Sequence, residues 1–414
     1  MKRMTISNTN SLLFFNIILT FYFYYIYAAS NIFDKLPPRI QTILLAYLTV
    51  SIVLTFTFII FQQKNEKLKI IIHKENLMII LLIIGYYSLM IISFIFKSPE
   101  SRVRIVLLFI SSTALFCVFF LPLSKKIYLY IFNIIILVVQ LYVLYFGLIN
   151  VSKTVVMYSG INVFFSSSNG LAHFAIVNCA YVFLSYGSFI RNNKNINLIK
   201  DKLILLLISF NIFISLVIII LSMSRGTIFA FALMLLYLIY SALFLKKREL
   251  YIFFNFIIIF FLILFIFINL SSSIKFQVLE YFSGVNKVKF SFQSSRFGMW
   301  KEFLNRPDLS YLLIFGKDKI FSSLGSKWGY TRHLHNSYLE IIRNIGIFPV
   351  VFIFFAIFIL LFKAKRFNFF KNNIFATAIL ILIFTASFFD DDFLWSTNYD
   401  FLAFWSLLQC SKRY

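Results

Sequence analysis

Long, unbroken apolar runs constrain this chain more than any other feature. A helix needs roughly 20 apolar residues to cross a bilayer. Runs of that order lie at about 11–29, 40–62, 77–96, 105–123, 127–149, 171–190, 203–222, 227–245, 250–270, 338–362, 374–389 and 401–411. They do not alternate in polarity, so they are not barrel strands, and lipid excludes open sheet edges. The sequence therefore predicts an all-α polytopic membrane protein with about twelve transmembrane helices. The last two runs are short, so a count of eleven also fits. Composition agrees: 61% of the 414 residues are hydrophobic and 13% charged, where soluble domains are near half apolar and a quarter charged. An ordinary cytosolic enzyme, a disordered chain and a disulfide scaffold are excluded.

Most of the net charge of +24 is explained by topology. Basic residues gather at every second connection: Lys64/Lys67/Lys69/Lys74, Lys125-Lys126, Arg191/Lys194/Lys200/Lys202, Lys246-Lys247-Arg248 and Lys363/Lys365/Arg366/Lys371. Lys2, Arg3, Lys412 and Arg413 continue the pattern. Cytoplasmic loops carry such an excess, so both termini are expected in the cytoplasm. The run Ser11–Ala29 follows Met1-Lys2-Arg3 as a signal peptide would, but exceeds a usual signal core and is read as a retained first span. Cys117, Cys179 and Cys410 suggest neither a disulfide framework nor a metal cluster. No internal repeat and no nucleic-acid-binding motif is visible, so no nucleic-acid partner is expected.

Residues 1–270 then hold spans one to nine, and 338–414 hold spans ten to twelve. Between them lies a 67-residue outer loop, 271–337. Its ten Lys and Arg face Glu280, Glu302, Asp308 and Asp318. Long loops translocate largely regardless of charge, and structureless loops beyond about 15 residues are usually functional or disordered. Trp300, Trp328 and several Phe and Tyr argue for order.

Four features near the outer side carry polar chemistry. In Ser222-Met223-Ser224-Arg225-Gly226, between spans seven and eight, Arg225 must sit at the membrane boundary or inside the bundle. A charge there is costly and tends to be functional; the alternative is an arginine snorkelling to headgroups. In Ser295-Arg296-Phe297-Gly298-Met299-Trp300, the spacing reads as the start of an amphipathic helix. Arg296 has the planar fork that holds anions by paired hydrogen bonds, against the alternative of a solvated loop charge. In His333-Leu334-His335-Asn336-Ser337-Tyr338-Leu339-Glu340, Ser337 and Glu340 have capping-box spacing. They predict a helix from about Tyr338 that continues as span ten, kinked at Pro349. His335 then stands at a helix N-terminus, a natural phosphate site, and its imidazole suits a proton acceptor. The alternative is a histidine that only caps or packs. Finally, Asp390-Asp391-Asp392 is an acidic run before the last span. It reads as a solvated cap, as a group for sugar hydroxyls or, with His333 and His335, as a divalent-metal site; no ligand spacing there is diagnostic.

Together these features predict an outer-face pocket for a phosphate ester or diphosphate attached to a lipid. His335-Asn336-Ser337-Tyr338-Leu339-Glu340, followed by Arg343-Asn344-Ile345-Gly346-Ile347, resembles the signature of the O-antigen ligase/polymerase superfamily. That group includes WaaL-type ligases and Wzy-type polymerases. Ser224-Arg225-Gly226 and Ser295-Arg296 to Trp300 are similar to its two other recurring elements, in the same order. The resemblance covers residues 200–360 by motif and the remainder by topology. It departs after Gly346-Ile347, where Phe348-Pro349 replaces a second glycine.

The resemblance implies a GT-C-like membrane glycosyltransferase with no cofactor and no metal. It would work at the outer, periplasmic face of a bacterial cytoplasmic membrane on an undecaprenyl-diphosphate-linked oligosaccharide. A flippase and a chain-length regulator would be its pathway partners. Carried over by residue, Arg225 and Arg296 would bind and neutralise the diphosphate, with Asn336 beside them. His335 would bind phosphate or accept the proton of the attacking hydroxyl. Asp390, Asp391, Arg306 and Glu340 are candidate acceptor-binding residues. The composition, with 57 Phe, is similar to that of polysaccharide polymerases. The expected activity is O-antigen polymerase; the alternatives are a WaaL-type ligase acting on lipid A-core and a twelve-span transporter. Only 12 Gly, 6 Pro and no repeat speak against the transporter.

Overall fold

The computed structural model describes residues 8–29, 74–95, 115, 125–151, 168–192, 202–222, 224–245, 248–270, 295–306, 309–315, 334, 336–362, 374–389 and 397–410. Among them the chain forms thirteen α-helices and no strand. In order these are α1 (Asn8–Ala29), α2 (Lys74–Ile95), α3 (Lys126–Val151), α4 (Ser168–Asn192), α5 (Lys202–Ser222), α6 (Arg225–Leu245), α7 (Arg248–Leu270), α8 (Ser295–Leu304), α9 (Leu309–Phe315), α10 (Ser337–Ile345), α11 (Phe348–Phe362), α12 (Ile374–Ser387) and α13 (Thr397–Cys410). Four stretches are long and apolar enough to cross a membrane: Lys126–Phe146, Asn169–Ile190, Lys202–Ser222 and Arg225–Phe244. Shorter apolar stretches include Ser11–Ile26, Leu77–Ile92, Leu250–Ile266 and Ile374–Ser387. The run expected at 40–62 lies outside the described residues, as does that at 105–123 apart from Leu115.

Two compact units are interleaved along the chain: Met1–Lys69 with Phe120–Lys289, and Ile70–Phe119 with Phe290–Tyr414. In the first unit α4 is the axis, packed against α1, α3, α5 and α6. It is the least apolar of the four long helices, yet 89% of its apolar window is buried, against 33% for α3. Lipid tails are as apolar as leucine, so burying leucine drives nothing. Small and polar side chains go inward alongside large ones such as Phe174, Tyr181 and Phe183. Ala172, Ala175, Ala180, Asn178, Ser185 and Ser188 are all buried on α4. On α3 the opposite face is exposed: Ile127, Ile131, Ile134, Val138, Leu141 and Tyr145 form a stripe at alternating spacings of four and three. So wide an apolar stripe marks an interaction surface, and lipid is the partner that the composition supplies.

A polar seam ties α3, α4 and α5 together. Asn133 Nδ2 donates to Leu129 O at 2.8 Å and lies 3.4 Å from Ser185 Oγ. Asn211 Nδ2 donates to Asn133 O at 3.1 Å, and Gln140 Nε2 to Ser215 Oγ at 2.7 Å. Interhelical bonds of this kind contribute about 0.6 kcal/mol each. Asn178 differs: it is fully buried on α4, and neither its Oδ1 nor its Nδ2 is bonded among the described residues. A buried amide without partners costs about 1–3 kcal/mol in proteins. Asn178→Leu is therefore expected to raise the thermal unfolding midpoint of the purified protein; a lower midpoint would show that the amide has a partner.

In the second unit α2 packs on α11, α12 on α13, and α13 also on α2 and α11. Gly85 permits the close approach on α2, because a Cβ there would lie 2.7 Å from Phe352 Cε2. The expected span 338–362 is not one helix kinked at Pro349. It is two helices, α10 and α11, broken at Gly346-Ile347. Gly346 has φ +108° and ψ −179° and donates to Ile342 O at 2.9 Å. That conformation is essentially reserved for glycine. Pro349 falls in the first turn of α11, where its missing N–H removes no intrahelical bond. The freed amide of Ile347 donates to Leu313 O of α9 at 2.7 Å, so the break leaves that group satisfied, as a low-dielectric setting demands.

Candidate functional site

The helix start in the histidine motif falls one residue earlier than its spacing predicts. Asn336, not Ser337, is the N-cap. It is extended (φ −154°, ψ 112°), and its Oδ1 accepts from Leu339 N at 3.0 Å. Asparagine is among the best residues for this duty. Its Nδ2 donates to Phe388 O at the end of α12 at 3.2 Å. Asn336 is buried and engaged at both ends of its amide, as the cap of α10.

Glu340 also departs from the expected role. Its side chain does not complete a capping box. It is buried, and Oε1 accepts from Leu334 N at 2.8 Å. Oε2 accepts from Asn344 Nδ2 at 3.1 Å and pairs with Arg343 at 2.8 Å. The carboxylate thus ties the chain before the cap to the third turn of α10. Tyr338 completes the attachment, donating to Phe384 O at 3.1 Å and packing against the Phe388 and Phe354 rings.

The arginine segment of the long loop joins this motif. Residues 295–304 form α8, a helix beginning where the Arg296 spacing predicts. Trp300 lies one turn after position 296, and its Nε1 donates to Leu334 O at 2.6 Å. Leu334 is fully buried and held at both backbone groups, at its carbonyl by Trp300 and at its amide by Glu340. Beyond α8 a turn passes through Arg306, which is half-buried and whose carbonyl accepts from Leu309 N at 3.2 Å. The α9 helix that follows sits on α10, and its Leu313 carbonyl bonds to the break before α11. Trp300 of one motif and Leu334 of the other, more than thirty residues apart in the chain, are therefore in direct contact within the second unit.

Arg225 belongs to the first unit. It is the first residue of α6 and is exposed. Ser224 precedes it as the cap, with its carbonyl bonded to Ile228 N at 2.9 Å and its hydroxyl 3.0 Å from Thr227 Oγ1. A cation at a helix N-terminus opposes the helix dipole by about 0.3–1 kcal/mol. The same arrangement puts an arginine at the positive end of the helix dipole, where an anion is favoured.

His333, His335 and Asp390-Asp391-Asp392 lie outside the described residues, as does the side chain of Arg296. Among the described residues no three Cys, His, Asp or Glu gather as a metal-ligand set.

One ionisable pair escaped the motif-based reading. Asp400 on α13 is fully buried, and both its oxygens lie 3.2 Å from the Tyr86 hydroxyl on α2. The Phe404 ring packs edge-on against Tyr86 at 4.8 Å and Tyr87 at 5.4 Å. The available signal was a lone carboxylate at the edge of the last apolar run, a feature that merits a named partner. Tyr86→Phe removes this donor from a buried carboxyl and is expected to cost about 1–3 kcal/mol. Thermal unfolding in detergent reads it, and an unchanged midpoint would reject the coupling of α2 to α13.

No protein-family model, no curated protein and no solved structure matches the chain.

Proposed function

We propose that this chain is a membrane glycosyltransferase of the O-antigen polymerase type, with about twelve spans and a GT-C-like architecture. It transfers a growing glycan from undecaprenyl diphosphate to the non-reducing-end sugar of a fresh lipid-linked repeat unit. The observation that carries the reading is the 2.6 Å bond from Trp300 to Leu334 O, which joins the helix of Arg296 to the residue before His335. A contact between the two segments whose sequences supply an arginine and a histidine suits a reaction whose leaving group is a diphosphate. As the sugar C1–O bond breaks, negative charge gathers on that diphosphate. Fixed cations and helix-end N–H groups aimed at developing charge lower such a barrier. Arg296 and Arg225 are assigned to the diphosphate. His335 is assigned to the incoming hydroxyl, whose proton it takes as the new C1–O bond forms.

The test is reconstitution. Purified protein receives a synthetic undecaprenyl-diphosphate repeat unit alone, and products are separated by length. A ladder of lengths is expected. A product that forms only when lipid A-core is added would replace polymerase by ligase, and substrate movement without transfer would indicate a transporter.

A further inference from the structure

We infer that Trp300 and Glu340 are positioning residues that hold Leu334, the residue before His335, against the helix on which Arg296 lies. The inference rests on the functional reading above and extends it to two side chains that do not touch substrate. Residue 334, the immediate neighbour of His335, is fixed from two sides: its carbonyl takes the Trp300 indole N–H at 2.6 Å and its amide meets Glu340 Oε1 at 2.8 Å. Residue 336, the other neighbour, is fixed by its cap bond to Leu339 N and by Phe388 O. Glu340 is itself held by Arg343 and Asn344. Its oxygens are thereby locked, and a locked second group is what keeps a reacting group in geometry.

Trp300 has a further consequence. It sits one helical turn after Arg296 on α8. A single indole N–H therefore ties the helix that includes position 296 to the backbone of the residue before His335. A misplacement of about 1 Å costs on the order of 100-fold in rate even when the change lies away from the chemistry. Trp300→Phe keeps the ring and loses only the donor. Glu340→Gln keeps an acceptor for Leu334 N and loses the charge that pairs with Arg343.

The experiment uses the full chain in lipid nanodiscs, with Trp300→Phe, Glu340→Gln and, as a donor-retaining control, Trp300→His. The first readout does not depend on transfer: the rate at which diethyl pyrocarbonate acylates His335, followed by mass spectrometry as the acylated fraction of the peptide that carries it. The Phe and Gln variants are expected to change that rate several-fold, and the His variant to stay closer to the parent. The second readout is transfer from the lipid-linked repeat unit. There kcat is expected to fall on the order of ten-fold or more, with KM nearly unchanged, because ground-state contacts remain. Parental acylation rates in both Phe and Gln variants would overturn the inference. If the variants alter acylation while the parent itself transfers no sugar, the positioning stands and the polymerase reading falls.

Discussion

Replacing Arg296 or His335 with alanine is expected to lower glycan transfer by about 100- to 1000-fold. That is the usual consequence of removing one donor from a preorganised charge-stabilising site. The loss should fall on kcat more than on KM, since the interaction strengthens as charge develops on the diphosphate. Arg225→Ala is expected to act in the same direction. Lysine at 225 or 296 should recover part of the loss only: it restores the charge and not the planar fork that grips two phosphate oxygens. Initial rates with a synthetic lipid-linked repeat unit read all of these. Ladders of parental length and rate from the alanine variants would remove these residues from the chemistry.

Gly346→Ala carries the second large effect, and it reaches the site through the fold. Position 346 has φ +108°, and an added Cβ would lie 2.6 Å from Ile314 O and 3.1 Å from Leu313 O. A side chain in that backbone region costs about 1–3 kcal/mol by itself. The contact with backbone carbonyls is not relieved by rotating a side chain, so α9 must move off α10. The bond from Ile347 N to Leu313 O is lost with it. The expected outcome is a clearly lower unfolding midpoint together with impaired transfer. A variant that keeps parental stability would mean that the break between α10 and α11 tolerates a different backbone.

Much of the helix layout was legible from hydropathy. The runs at 11–29, 77–96, 127–149, 171–190, 203–222, 227–245 and 250–270 coincide with α1 and α2 to α7 within a few residues. Apolar length alone reports helices in lipid, because no other open structure satisfies its backbone there. It did not report which helix is central. Hydropathy ranks α4 low, and α4 is the most buried of the four long helices. The order inverts because packing in lipid selects small and polar faces. The break at Gly346 was also hidden, since 338–362 reads as one apolar run with a proline. The deciding partner, the Leu313 carbonyl, comes from a loop helix that the run itself does not mention.

At the site, the residue types were readable and the duties were not. Asn336 and Glu340 stand in a polar motif that suggests ligands. Asn336 turned out to be the cap, and Glu340 the clamp on Leu334. Local spacing pointed to Ser337 as the start of α10. The structure puts the cap one residue earlier, at Asn336, whose Oδ1 takes Leu339 N and whose Nδ2 reaches Phe388 O.

The sequence alone determined that the chain is helical, that its helices are apolar enough for a membrane, and where its few polar motifs fall. Those properties follow from length and composition within single segments. The tertiary structure decided that Trp300 meets Leu334, that Tyr86 meets Asp400 and that α9 supports the break at Gly346. Each of those is a contact between segments far apart in the chain. Its existence depends on which faces of the helices pack together, and no single segment carries that information.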